Sequence, residues 1–182
     1  ISLFGNLDNI KKAKFELIDS LPQGGIAIFN LSNQYSQELA EKAKKLPNQL
    51  KVFGYGANQI KADLLASVVR QTEEGVFFKV HEGQTKKMFF APLTGIHFLE
   101  NLAGAILVSR LFGLSWDEID NGCRTLKLPE KTMTLGKFKN GGLIIDDSYN
   151  STPTGFKAAI SYISKFKDKK RIVVTPGIIE LG

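Results

Sequence analysis

The sequence is poor in the residues that hold metals and staple small folds: one cysteine, Cys123, and two histidines, His81 and His97, in 182 residues. A lone cysteine excludes an intrachain disulfide. So few Cys and His also exclude a zinc site of the usual kind and leave no Ser/His/Asp or Cys/His nucleophile arrangement to argue for. No apolar run approaches the roughly 18 to 20 residues of a membrane span, and the N-terminus lacks a basic region followed by an apolar stretch with a small-residue cleavage site. These absences point to a soluble protein of a reducing cytoplasm. The phosphate-gripping pattern G-x-x-x-x-G-K-S/T is missing too: "GYG", "GG" and "GLIIDD" lack the lysine and hydroxyl that hold phosphate and magnesium. The chain is therefore not expected to hydrolyse nucleotides unaided. It begins at Ile1 rather than Met, directly before a helix signal, which suggests an excerpt of something longer.

What is present is enough apolar material, 43% of residues, to bury a core, in a length that suits one large domain or two small ones. The net charge of +6 raises a nucleic-acid reading. Its densest cluster, "KFKDKKR" at 165–171, has little stacking aromatic beside it and reads better as a solvated helix end, where cations suit the helix dipole.

Hydrophobic spacing orders the chain. "DNIKKAKFELIDSL" puts Ile10, Ala13, Leu17, Ile18 and Leu21 on one helix face, with Asp8 as candidate N-cap and Pro22, Gly24 and Gly25 as the stop. A strand in "GIAIFNLSN", a helix in "SQELAEKAKKL" and a strand in "LKVFGYG" follow, while "KADLLASVVRQ" fits either type. "GVFFKVHEGQTKKMFFAPL" reads as a hairpin turning at Glu82 and Gly83. From Gly95 a long helical pattern presents Leu102, Ala105, Ile106, Ser109 and Leu111, and Ser115 caps a shorter helix. The texture changes after "KLPEKTMTL". "GKFKNGGLIIDD" reads as a turn into a strand, "TPTGFKAAISYISKF" as a helix and "RIVVTPG" as a second strand, a βαβ unit with parallel strands. The expected class is α/β, with a domain boundary between residues 129 and 134 dividing 1–132 from 133–182. The second piece, about 50 residues, would need more strands to be stable alone.

Three places carry candidate chemistry. Asp146 and Asp147 end a strand, just before Thr152 as N-cap and Pro153 at the first helical position; in open α/β sheets ligands bind beyond such strand ends. A carboxylate there can accept from ribose hydroxyls, with Tyr149 and Asn150 adding donors. Acids also gather at helix starts for dipole reasons alone, and spacing does not choose between the two. Lys14 falls on the apolar face of its helix, either as a side chain snorkelling from the edge or as an amine held for chemistry. His97 and Asn101, four residues apart, share a helix face.

Taken in order, four segments resemble the Mur ligase family. "FGNLDNIKKAKFEL" is similar to the family's F-G-S-x-E-x-I-x-x-A-K-x-E-L, with "GIAIFN" as the strand that follows it. "GIHFLENLAGAILVSRLFGLSWDEI" is similar to the helix opening G-x-H-N-x-x-N-A-x-A-A. "IIDDSYNSTP" resembles I-D-D-x-Y-N-A-N-P, the form found in the branch that adds D-alanyl-D-alanine, and "VVTPGIIELG" resembles V-x-G-x-M-x-E-L-G. The resemblance implies the later part of a central ATP-binding domain followed by the start of a Rossmann-like C-terminal domain, the phosphate loop lying upstream. It implies an ATP- and magnesium-dependent amide ligase of peptidoglycan precursor synthesis, a cytoplasmic monomer joining D-alanyl-D-alanine to a UDP-linked muramoyl tripeptide through an acyl phosphate. By position, Lys14 matches a carbamylated lysine of the magnesium site and Asn101 the adenine-contacting asparagine, with His97 beside it. Asp147 matches the ribose-holding acid, and Asp146, Tyr149 and Asn150 line the substrate cleft. Phe98 stands where the family has the Asn of H-N, and Thr132 where it has a phosphate-contacting arginine. The alternative these departures leave is a non-catalytic module of the same fold that binds nucleotide or protein.

Overall fold

A computed structural model of the chain describes residues 4–57, 61–72, 74–93, 98–149 and 152–177. Its larger sheet runs in the order β1 (Ile26–Asn30), β2 (Lys51–Ala57), β3 (Leu64–Gln71), β4 (Val76–Glu82) and β5 (Thr85–Ala91). The first three strands are parallel, and β4 and β5 continue the sheet antiparallel. The ambiguous "KADLLASVVRQ" is thus strand β3, as its β-branched residues and neighbouring ladders favour. β4 and β5 are joined by the two-residue turn Gly83–Gln84. Gly83 has φ of +57°, the positive value such a turn asks of its first residue.

Strand periodicity sorts side chains onto two faces. Along β1, Ala27 and Phe29 enter a cluster with Phe15 of α1 (Leu7–Asp19) and Ala40 and Ala43 of α2 (Gln34–Ala43), while Ile28 between them packs the opposite way. On that opposite face Leu64, Phe78 and Phe89 meet Leu102, Ala103 and Ile106 of α3 (Leu99–Leu111) and Ile119 and Cys123 of α4 (Trp116–Arg124). The result is helix, sheet, helix, which bears out the α/β class. α3 is apolar nearly all round, suiting a helix laid across three strands. Ser115 caps α4 in a full capping box with Glu118, its hydroxyl accepting from the Glu118 amide at 3.3 Å. Among the described residues no helix is long and apolar enough to cross a membrane.

After α4 the chain makes a second sheet of two strands, β6 (Thr134–Lys137) and β7 (Leu143–Asp146), and then α5 (Pro153–Ile163), with Thr152 as N-cap and Pro153 in its first turn. Three expectations need correction. The N-cap of α1 is Asn6, whose Oδ1 accepts from Asn9 N at 2.9 Å, because Asp8 is already inside the helix. β7 pairs antiparallel with β6 rather than with a parallel strand after α5. Residues 171–177 join no ladder; Val174 is 93% exposed, and a cleft of about 730 Å³ separates the segment from β7 and α5. An aliphatic run becomes a strand only where a neighbour completes its hydrogen bonds, and composition does not supply the neighbour.

Candidate functional site

The parallel strands β1 and β2 end side by side, at the sheet edge where α/β folds bind ligands. Asn30 closes β1, and both ends of its amide are engaged: Oδ1 accepts from Ser32 N at 2.9 Å, and Nδ2 donates to Glu100 Oε2 at 2.7 Å. Ser32 in turn accepts from Ala57 N at 3.0 Å, tying in the end of β2. Glu100 belongs to the first turn of α3, so one hydrogen bond links the sheet edge to the start of that helix. The helix is also held close. A Cβ on Gly104 would lie 2.8 Å from Cζ of Tyr55, so only glycine lets the β2 ring pack flat on α3. Burial, and then the Glu100 charge, raise the Tyr55 phenol above its usual range.

Asn101 follows Glu100 and is exposed in the same first turn. The N-cap residue is Phe98, whose ring has no oxygen to accept from the first-turn amides. His97 lies outside the described residues, so its expected pairing with Asn101 has no geometry to report.

The second place is the corner after β7. Asp147 is half-buried, and its Oδ1 accepts from Met133 N at 3.1 Å. Asp146 turns the chain instead: its Oδ1 accepts from Ser148 N at 3.1 Å and Ser148 Oγ at 2.7 Å, while its backbone oxygen accepts from Thr134 Oγ1 at 3.3 Å. Tyr149 donates its amide to Lys131 O at 3.0 Å and leaves its ring 76% exposed. Thus 131–134 and 146–149 are laced together. Lys131 and Met133, on either side of Thr132, hold φ of +59° and +48°, values L side chains adopt only when the surroundings insist. Met133, 1% exposed, is the anchor. Asp146 and Asp147 line the end of the apolar cleft of about 730 Å³, whose walls include Leu143, Ile145, Phe156 and Ile172. Asn150 lies outside the described residues.

Lys14 stands on α1, and its inward placement is corrected. It is exposed, as is Leu17 at 72%, because α1 turns Phe15 and Ile18 to the core with the stem of Lys11 beside them. Lys11 lies 4.5 Å from the Tyr35 ring centroid and 2.7 Å from Glu38 Oε2, and Lys42 covers Phe15 at 3.8 Å, which fixes the rotation of the helix. Lys14 and Asn101 therefore sit in the two different helical layers, on α1 and α3. Asn30, Glu100, Tyr55 and Met133 were not singled out from sequence. Their contacts span 70 residues between Asn30 and Glu100, beyond any local pattern.

Comparison with known proteins places these features in context. The family model described as Mur ligase middle domain matches residues 1–109. The UDP-N-acetylmuramoyl-tripeptide--D-alanyl-D-alanine ligase of Bacillus subtilis is 30% identical over 184 residues, 98% of this chain and 37% of its own length. Among solved structures, MurF from Acinetobacter baumannii superposes with a TM-score of 0.77 at 23% identity, covering 89% of this chain and 34% of that one. The MurF ligase from Thermotoga maritima in complex with ADP gives 0.71 at 21%, covering 90% and 36%. At these identities the structural likeness is one of fold. The chain spans roughly a third of the length of each relative.

Proposed function

Because this chain belongs to the Mur ligase family, we propose that it is the nucleotide-holding part of an ATP-dependent ligase that joins D-alanyl-D-alanine to a UDP-linked muramoyl tripeptide in the cytoplasm, working as a monomer. The names of its relatives supply the substrates, and the ADP complex of the Thermotoga relative supplies the nucleotide. The observation that carries the reading is the Asp147 corner. One carboxylate oxygen is held by the Met133 amide, and the other has no hydrogen bond among the described residues, which suits a ribose hydroxyl. Asn101, at the start of α3, offers a donor and an acceptor to the edge of a base. Tyr149 is proposed as a substrate contact, and so, on the resemblance alone, is Asn150, which lies outside the described residues; the division near Thr132 into a central and a C-terminal domain belongs to the same proposal.

In the reaction, the tripeptide carboxylate takes a phosphoryl group from ATP, and the amine of D-alanyl-D-alanine displaces phosphate to leave an amide. Magnesium is a separate matter. Among the described residues no three of His, Cys, Asp and Glu gather as a metal-holding group, so these residues alone do not make its site. Lys14 is proposed as the carbamylated residue of that site. Thr132, where the family has arginine, favours a second reading: a module that binds nucleotide without transferring phosphate. ADP titration of the chain and of Asp147→Ala tests the shared part. Weaker binding by the variant, measured at a temperature where it remains folded, is the expected result. Equal affinity removes Asp147 from the site.

A further inference from the structure

We propose that Asn30 and Glu100 are positioning residues for the nucleotide: the hydrogen bond between them sets where the first turn of α3, and with it Asn101, stands against the end of β1. The inference rests on the reading of α3 given above and goes beyond it, because neither residue figures in the ligand contacts implied there.

The argument is geometric. Asn30 is the last residue of β1, and its amide cannot swing freely, since Oδ1 holds Ser32 N while Nδ2 holds Glu100. Ser32 is itself tied to Ala57. Three backbone segments, the ends of β1 and β2 and the loop between β1 and α2, therefore converge on one carboxylate. That carboxylate is half-buried and pays a desolvation cost, which its 2.7 Å bond from Asn30 offsets. The Tyr55 ring is seated on Gly104, one helical turn further along α3. Between them, Glu100 fixes the rotation of the helix and Gly104 its distance from the sheet. A nucleotide base meeting Asn101 then finds a donor and acceptor already placed, so less ordering is needed on binding.

The test follows ADP binding to the chain by amide chemical shifts, with melting temperature measured in parallel. Asn30→Ala and Glu100→Ala are each expected to weaken ADP by roughly ten- to hundred-fold, the scale of one hydrogen bond to a charged group, and to lower the melting temperature as well, since each breaks a part-buried bond. Glu100→Gln keeps an acceptor for Asn30 and is expected to stay within about two-fold. A purely structural pair would lower the melting point in all three variants and leave affinity alone. Asn101→Ala separates the layers of the argument. If it weakens ADP while Asn30→Ala and Glu100→Ala do not, the positioning role is wrong. If it changes nothing, or if the unsubstituted chain binds no ADP, the nucleotide reading of α3 falls first and takes the inference with it.

Discussion

Replacing Gly104 and Gly122 by alanine, one at a time, should move stability in opposite directions although the chemical change is the same. Both glycines lie inside helices, α3 and α4, where alanine gains about 0.5 to 1 kcal/mol over glycine by restricting the unfolded chain. At Gly122 nothing lies within 4 Å of the added methyl, so the gain should appear undiminished. At Gly104 the methyl would meet three carbons of the Tyr55 ring at 2.8, 3.1 and 3.1 Å. The half-buried Tyr55 ring, packed flat on α3, must shift to admit the methyl, so overpacking of about 1 to 3 kcal/mol is expected. The propensity term is common to both variants and cancels in their difference, which isolates the clash. Gly122→Ala should melt higher than the unsubstituted chain and Gly104→Ala lower, separated by roughly 2 to 4 °C for each kcal/mol. Circular dichroism on heating and urea titration followed by the fluorescence of Trp116 both read this. Equal shifts in the two variants would refute the packing of Tyr55 on Gly104, and with it the close seating of α3.

Further outcomes follow from the structure and from the proposed function. Phe78→Ala, fully buried and stacked 5.5 Å from Phe89, should cost about 3 to 5 kcal/mol in urea unfolding, the range for emptying a large aromatic site. Burial pushes the Cys123 thiol up to about 11 from 9.0, so it should resist alkylation at neutral pH until denaturant is added. The unfolded thiol ionises first, so stability should fall as pH rises from about 9 towards 11, and Cys123→Ser should lose that slope. Ser115 holds the Glu118 carboxyl below its usual value, so its stabilisation is present above the ordinary Glu pKa and lost as pH falls; Ser115→Ala should melt lower at neutral pH and flatten the acid side of a pH–melting curve. Isotopically labelled bicarbonate should give a carbamate NMR signal that Lys14→Ala abolishes, and its absence at saturating bicarbonate would rule out the carbamylated lysine.

Local rules made part of this molecule readable and long-range geometry hid the rest. The hairpin turn, the cap at Ser115 and the Thr152–Pro153 start of α5 depend on two to four neighbouring residues; the last two stand where spacing put them, and the turn falls at Gly83–Gln84, one residue later than Glu82–Gly83. Lys14 was misplaced because α1 carries two apolar stripes. Aliphatics at Ile10 and Leu17 drew one, yet the single ring of Phe15 and the stem of Lys11, clamped by Glu38 and Tyr35, bury the other. Residues 171–177 show the same limit, since a strand exists only with its partner. The corner at Asp147 was half legible. The acid could be named from "IIDDSYN", but its amide donor lies 14 residues back in a left-handed loop that nothing in "PEKTMT" announces. The bond from Asn30 to Glu100 had no sequence signal at all.

The central claim is that this chain serves an ATP-dependent ligase, and the most direct measurement is ligase activity in a setting that supplies the rest of the enzyme. The chain aligns over 184 residues with the Bacillus subtilis relative, which defines the stretch of the bacterial protein to exchange for it in a chimera. With UDP-linked muramoyl tripeptide, D-alanyl-D-alanine, magnesium and ATP, the folded chimera should release phosphate only when both peptides are present and form the pentapeptide product. Asp147→Ala in the inserted segment should raise the KM for ATP. A chimera that folds and binds ATP yet makes no product would contradict the account and leave the non-catalytic module in its place.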